Sequence, residues 1–306
     1  MQTLRIGTRG SPLALAQAHE VRDRLMAATG WPPEAFEIVV IRVTGDAVQD
    51  RPLSQIGGKG LFTREIEEAL LAGTVDIAVH SMKDMPVLQP EGLVIDCLLP
   101  REDPRDAFVT LTGHAGPADL PEGATVGTSS LRRRAQLLAR RPDLTVVDFR
   151  GNVQTRLSKL TAGVAEATFL ALAGLRRLGL ADRVPARPIP PESMLPAIAQ
   201  GAIGVERRTG DGRTAEMLAL IHDRETGLRL AAERAFLAAL DGSCQTPIAG
   251  LAELDGDRIR LRGEILRPDG SLVLADDATA PADDGADLGR VMACRLLREA
   301  GPRFFD

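Results

Sequence analysis

The sequence predicts an α/β protein of two lobes with a cleft between them, followed by a smaller C-terminal α+β domain. Three observations carry this. Through the first two hundred residues, short apolar runs alternate with amphipathic segments, the pattern of βαβ units around a mainly parallel sheet. Two stretches dense in proline and charge, LPREDPRDAF from Leu99 and RVPARPIPPESMLP from Arg183, interrupt the pattern and read as an outward and a return crossing between lobes. Beyond about residue 220 the pattern becomes one long helix, RETGLRLAAERAFLAAL, three alternating segments and a last helix.

In chain order, the apolar alternation places strands at about 3–8, 36–43, 75–80, 106–110, 124–128, 144–149 and 167–171. Capping residues and apolar periodicity place helices at about 12–28, 61–72, 130–141, 152–162 and 172–179. The expected division is 1–99 with 200–219 for one lobe, 100–199 for the other, and 220–306 for the C-terminal domain.

Composition narrows the function. With 26% charged and 44% hydrophobic residues, the chain is an ordinary globular one. A net charge of -5, eight Phe, one Trp and no Tyr argue against nucleic acid, which needs a basic field and stacking platforms. There is no signal-peptide pattern and no apolar run of spanning length, so a cytoplasmic protein without membrane contact is expected. The three cysteines, Cys97, Cys244 and Cys294, lie far apart with no CxxC, and the four histidines include no HExxH. Neither a disulfide framework nor a metal site is expected.

Within this acidic chain, GTSSLRRRAQLLARRPDLTVVDFRGNVQTR, Gly127 to Arg156, carries seven arginines. It reads as two strand-to-helix corners. At the first, Thr128 and Ser130 cap a helix whose first turn holds Arg132 and Arg133. Cations there oppose the helix macrodipole unless an anion faces them. At the second, Arg150 closes a strand and Asn152, the only asparagine, caps the helix bearing Arg156. A third corner, LRIGTRGSPLALAQ, sets Arg9 before a Ser11 cap and Pro12 at the first helical position. Ligands of open α/β sheets bind at such strand ends, so repeated arginine corners describe a polyanion site, suited to carboxylates or phosphates. Arg140 and Arg141 read as a solvated helix end, and Arg134 stays open.

TVDIAVHSMKDMP ends a strand in Ser81, Lys83 and Asp84; partial burial would suit Asp84 to acid and base work, while an aspartate before Met-Pro is by itself more often a turn residue. IGGKGLF fails the phosphate-loop pattern because Leu53 stands in the first glycine's place; it reads as a glycine-rich lid bearing Lys59 and Phe62. Cys97 and Cys294 lie in apolar runs and read as buried thiols. Cys244, in the loop LDGSCQTP, is as readily a tolerated loop cysteine as a reactive one.

Together, TRGSPLAL, GGKGLF, DIAVHSMKDMP, REDPRDAF, GTSSLRRRAQL, FRGNVQTRLSKL, ALAGLRRLGL, QGAIGVE and GSCQTPIAG resemble, in order and over nearly the whole chain, the porphobilinogen deaminase (hydroxymethylbilane synthase) family. The resemblance implies two periplasmic-binding-protein-like lobes and a third domain. It implies a monomeric transferase that condenses four porphobilinogen units and releases ammonia at each addition. It implies a dipyrromethane cofactor held by a thioether to Cys244, with Asp84 as acid and base. Cofactor contacts are then expected from Ser81, Lys83, Asp84, Thr128, Ser130, Arg132, Arg133, Arg150 and Arg156. Substrate contacts are expected from Arg9, Lys59, Phe62, Arg150, Arg156, Arg177 and Gln200. One departure, EATFLA after RLSKL, sets Glu166 and Thr168 where the family has Asp and Ile, and predicts a local hydrogen-bond change. The rival readings are a non-catalytic, two-lobed receptor for small anions and a thiol enzyme using Cys244 as turnover nucleophile.

Overall fold

The computed structural model describes residues 3–44, 63–242, 246–302 and 304. In chain order the first elements are β1 (Leu4–Arg9), α1 (Pro12–Thr29), β2 (Phe36–Ile41), α2 (Arg64–Leu71), β3 (Ile77–Ser81) and β4 (Leu93–Leu98). There follow β5 (Asp106–Thr110), β6 (Thr125–Gly127), α3 (Leu131–Arg140), β7 (Thr145–Val147), α4 (Val153–Thr161), β8 (Ala167–Ala171), α5 (Leu172–Arg177) and β9 (Ala186–Pro188). The remainder is β10 (Ile203–Arg208), α6 (Gly212–Ala219), α7 (Arg224–Ala239), β11 (Ile248–Asp255), β12 (Arg258–Leu266), β13 (Val273–Pro281) and α8 (Gly285–Ala300).

The chain divides into two compact units, Met1–Glu102 with Ala202–Gly227, and Asp103–Gly201 with Leu228–Asp306. Residues 220–227, assigned on sequence to the C-terminal domain, pack with the first unit. Hydrogen bonding explains this: Leu98 N donates to His222 Nδ1 at 3.1 Å and Asp223 N to Leu98 O at 2.8 Å, while Arg101 N reaches Thr226 Oγ1 at 3.0 Å.

The first unit is built on a five-stranded sheet of order β2-β1-β3-β10-β4, and the second contains one of order β7-β6-β8-β5-β9. One plan serves both. Three strands pair in parallel, and a single reversed strand, β10 or β5, lies between the third and the far edge. The expected mainly parallel pairing is therefore mixed. Parallel neighbours need a helical crossover, whereas each reversed strand is the one the chain enters as it passes between units. In the first unit Ile6, Val21, Leu25, Ile77, Ile203 and Val205 form the core. In the second, alternation along β5 and β8 sends Phe108 and Phe169 to one face, ring centroids 6.1 Å apart, and Val109 and Leu170 to the other.

The second unit also holds the antiparallel meander β11-β12-β13, packed against α8. Gly289 permits the close approach of α8 to α7: a Cβ there would stand 2.3 Å from Ala232 O. Met292, Ala293 and Leu296 face inward from α8, so Cys294, expected to be buried, falls on its outer face and is exposed. Cys97 on β4 is buried as expected, and burial pushes its thiol up to about 12.

Candidate carboxylate-binding site

In the first unit, β1 delivers Arg9 and the chain turns at once into α1. Ser11 caps that helix, its Oγ accepting from Ala14 N at 3.2 Å, and Pro12 presets the first turn. Beside it β3 ends at Ser81, and a 3-10 turn over Met82–Asp84 follows, anchored by buried Met82, whose N donates to Ala202 O at 3.0 Å. Arg9, Ser11, Gln17, Ser81 and Asp84 line one pocket. Lys83, on the same turn, is half-buried. Asp84 is exposed, without the partial burial that would have suited it to acid and base work, and its neighbours Met82 and Met85 fill the interior.

Two features of this pocket escaped the sequence reading. The buried Gln17 exchanges hydrogen bonds with Ser81, Nε2 to Oγ at 2.8 Å and Oγ to Oε1 at 3.1 Å. Its signal was a polar residue among the inward positions Ala14, Ala18, Val21 and Leu25. Behind Ser81, buried His80 meets buried Glu206 of β10 at 3.0 Å, Nε2 to Oε2. Nearby Glu67 on α2 is held above the usual carboxylate range, by burial first and by the charge of Glu206.

In the second unit, β6 ends at Gly127, whose missing side chain admits the ring of Phe149; a Cβ would lie 2.4 Å from it. Thr128 is buried, and Ser130 caps α3, accepting from Arg133 N at 3.4 Å. The anion required by the first-turn arginines is the chain's own. Asp106, 0% exposed, meets Arg132 Nη1 through Oδ2 at 2.7 Å and Arg133 Nη2 through Oδ1 at 2.7 Å. Burial would raise the Asp106 carboxyl, but the two guanidiniums outweigh it and hold the group well below the usual range. Burial in turn lowers Arg133 against the pull of Asp106.

Gln200, expected to face substrate, is 1% exposed and donates from Nε2 to Asp106 Oδ1 at 3.0 Å and Pro104 O at 2.7 Å. These carbonyl and carboxylate partners draw it inward. Its neighbour Ala199 holds a positive φ of 58° with its N–H on Glu233 Oε2 at 2.6 Å.

At the other corner of this unit, Asn152 caps α4 through Thr155 N at 2.9 Å. Arg156 Nε donates to Gly151 O at 3.0 Å, and Lys159 Nζ donates to Arg150 O at 2.9 Å. Arg150 Nη1 is buried without a hydrogen-bond partner among the described residues. Arg177 lies half-buried in the last turn of α5. Glu166 Oε1 accepts from Thr125 N at 3.2 Å and Thr168 Oγ1 donates to Gly127 O at 2.6 Å, the local change expected of EATFLA. Arg134 is exposed. Arg141, read as solvated, instead pairs with Asp143 at 2.6 Å and donates to the carbonyls of Pro117 and Leu120, closing a loop distant in sequence. Cys244, Lys59 and Phe62 lie outside the described residues, as does the lid. No group of three His, Cys, Asp or Glu side chains that could hold a metal occurs among the described residues.

The donor set is cationic and hydroxylic at both corners of the second unit and in the first unit's pocket, which fits ligands bearing several carboxylates. Residues 4–216 match the family model described as porphobilinogen deaminase, dipyromethane cofactor binding domain. Residues 228–298 match the one described as porphobilinogen deaminase, C-terminal domain. A porphobilinogen deaminase of Paracoccus denitrificans (strain Pd 1222) is 69% identical over 303 residues, covering 99% of this chain and 96% of its own length. Among solved structures, the probable amino-acid ABC transporter extracellular-binding protein of Bacillus subtilis aligns over 72% of this chain and 89% of its own, with a TM-score of 0.43 and 13% identity. An arginine-specific periplasmic binding protein of Salmonella typhimurium aligns over 74% and 94%, with a TM-score of 0.41 and 15% identity. Likenesses at that level carry no argument, but the sequence matches do: the chain belongs to the porphobilinogen deaminase family.

Proposed function

We propose that this chain performs the family's reaction with Asp84 as its acid and base and with its arginine corners holding the carboxylates. The reaction condenses four porphobilinogen units stepwise, each with loss of ammonia, onto a dipyrromethane primer and then frees the linear tetrapyrrole by hydrolysis. The observation that supports the assignment is that Arg9, Ser81 and Asp84 line one pocket, a cation, a hydroxyl and a carboxylate together.

The donors present fit the cofactor. Every pyrrole brings two carboxylates, and the chain offers Ser81, Lys83, Thr128, Ser130, Arg132, Arg150 and Arg156, with a buried N–H of Arg150 left unmatched, while Arg133, expected among them, is turned inward onto Asp106 and Phe169 O. When bound, the dipyrromethane supplies the primer to which porphobilinogen units are added. Cys244 anchors it by a thioether. Arg9, Arg150, Arg156, Arg177, Lys59 and Gln200 serve the incoming substrate, with Phe62 beside it. The Gln200 contribution runs through Asp106, which its amide holds. The Asp84 carboxylate stabilises the positive charge that develops on a pyrrole nitrogen and holds its proton until the ring recovers. Fixed guanidiniums do the orienting, so Asp84 meets each nitrogen without solvent rearrangement.

The same reading makes the protein a transferase working as a monomer in the cytoplasm. Among the described residues no helix is long and apolar enough to cross a membrane. A receptor for small anions would use the arginines but has no need of Asp84 in the pocket. Intact-mass measurement of freshly purified, active protein tests the reading: an excess equal to two linked pyrroles should map to Cys244. Active protein of unmodified mass would refute it.

A further inference from the structure

Arg132 and Arg133 are neighbours at one helix start, yet their guanidiniums are in different states. All three nitrogens of Arg133 are engaged inside the unit: Nε and Nη2 donate to Asp106 Oδ1 at 3.1 and 2.7 Å, and Nη1 donates to Phe169 O at 2.7 Å. Arg132 is held at one nitrogen only. Its Nη1 lies 2.7 Å from Asp106 Oδ2 and donates to Leu195 O at 2.7 Å, while its Nε is buried with no hydrogen-bond partner among the described residues. In a residue only 5% exposed, a buried N–H of this kind is one that native proteins rarely leave unmatched.

The charges point the same way. Two guanidiniums face one carboxylate, so the cluster keeps a buried positive charge. Glu264 on β12 makes its ion pair with Arg140, at 4.0 Å, and not with Arg132. A buried, unbalanced cation with a spare donor is stabilised by an arriving anion.

We propose that Asp106 is a positioning residue. Braced by Arg133 and by Gln200 from the return segment, it fixes the guanidinium of Arg132 so that its unmatched N–H meets a carboxylate of the dipyrromethane. Arg133 belongs to the brace and Arg132 to the ligand. The inference rests on the reading that Arg132 takes a ligand carboxylate, and its test separates the two.

Four variants suffice: Arg132→Gln, Asp106→Asn, the double variant Asp106→Asn with Arg133→Gln, and Asp106→Glu. Each is read by the fraction of purified protein carrying the two-pyrrole mass, by its thermal midpoint, and by kcat/KM for porphobilinogen. Arg132→Gln should lower the loaded fraction and lose about tenfold or more in kcat/KM, the worth of one charge-assisted hydrogen bond. If Arg132→Gln matches the parent, the underlying reading fails and the positioning role falls with it. The double variant keeps the parent's net buried charge, so it should melt above Asp106→Asn, yet it should show the loading defect of Arg132→Gln because Arg132 has lost its anchor. A double variant that loads and turns over like the parent, beside an impaired Arg132→Gln, would reduce Asp106 to charge balance and overturn the proposal. Asp106→Glu keeps the charge and displaces the carboxylate by one methylene. It should fold, load poorly and raise KM; parental behaviour there would overturn the proposal even if the double variant failed to fold.

Discussion

Asp84 and Asp106 are two aspartates beside arginine at the strand ends of two similarly built sheets, one in each unit, and they have opposite fates. Asp84 stands exposed on a short turn, in a pocket with Arg9 and Ser81. Asp106 is sealed beneath Arg132, Arg133 and Gln200. Each sits in a charged motif, HSMKD or REDPRD, and burial separates them. A sealed carboxylate whose charge is locked by two guanidiniums is closed to a ligand, whereas one that lines an open pocket can be reached by it.

The comparison can be broken most sharply at Asp84. Asp84→Ala should lose about a hundredfold to ten-thousandfold in kcat, the range of a positioned acid or base. Its thermal midpoint and its covalent adduct mass should stay at parental values. Normal turnover of porphobilinogen by that variant would remove Asp84 from the chemistry.

At Asp106 the expectation reverses, with stability as the first readout. Asp106→Asn leaves two buried guanidiniums without their counter-charge and should destabilise the fold by about 3–5 kcal/mol, measured by denaturant unfolding. The folded-state carboxyl lies below its unfolded value, so its contribution is complete above the ordinary carboxylate range near pH 4 and is lost as the pH falls through and below it. The gap between parent and Asp106→Asn should therefore be flat at neutral pH and narrow below about pH 4. A gap that widened in acid would contradict the ion-pair account.

Smaller effects sharpen the picture of the corner itself. Gly127→Ala would drive a Cβ to 2.4 Å from the Phe149 ring and should cost about 1–3 kcal/mol, read as a lowered thermal midpoint. Asn152→Ala removes the α4 cap and should cost about 1 kcal/mol. Arg134→Ala, on the exposed side of the same arginine run, should stay within about 0.5 kcal/mol of the parent.

Much of this fold could be read before the structure because its corners are built from local rules. Ser11, Ser130 and Asn152 cap the helices their positions announced, and β1, β5 and β8 fall within a residue of the apolar alternation. Long-range partners were beyond that reading. Nothing near REDPRD marks Asp106 as buried, since its arginine partners, Arg132 and Arg133, belong to the next α-helix, Arg133 27 residues on, and Gln200 lies 94 away. The reversed strand β10 went unseen because its pairing with β3 and β4 is set by topology. Arg141 was misread for a similar reason: the carbonyls it binds belong to a loop some twenty residues earlier. In the candidate site, residue types were legible from motifs. Which of them face a ligand and which brace the fold depended on packing.

The burial of Cys97 bears on chemical selectivity. Condensation by loss of ammonia puts an alkylating carbon within the protein at every addition, and any competent sulfur nearby would compete for it. With its thiol pushed up to about 12, Cys97 carries almost no thiolate at neutral pH and has no access to reagents. Exposed Cys294 has no such protection, so alkylation of the native protein should mark Cys294 and spare Cys97. Core packing thus acts as a protecting group for Cys97, a chemical insulation that its side chain alone would not provide.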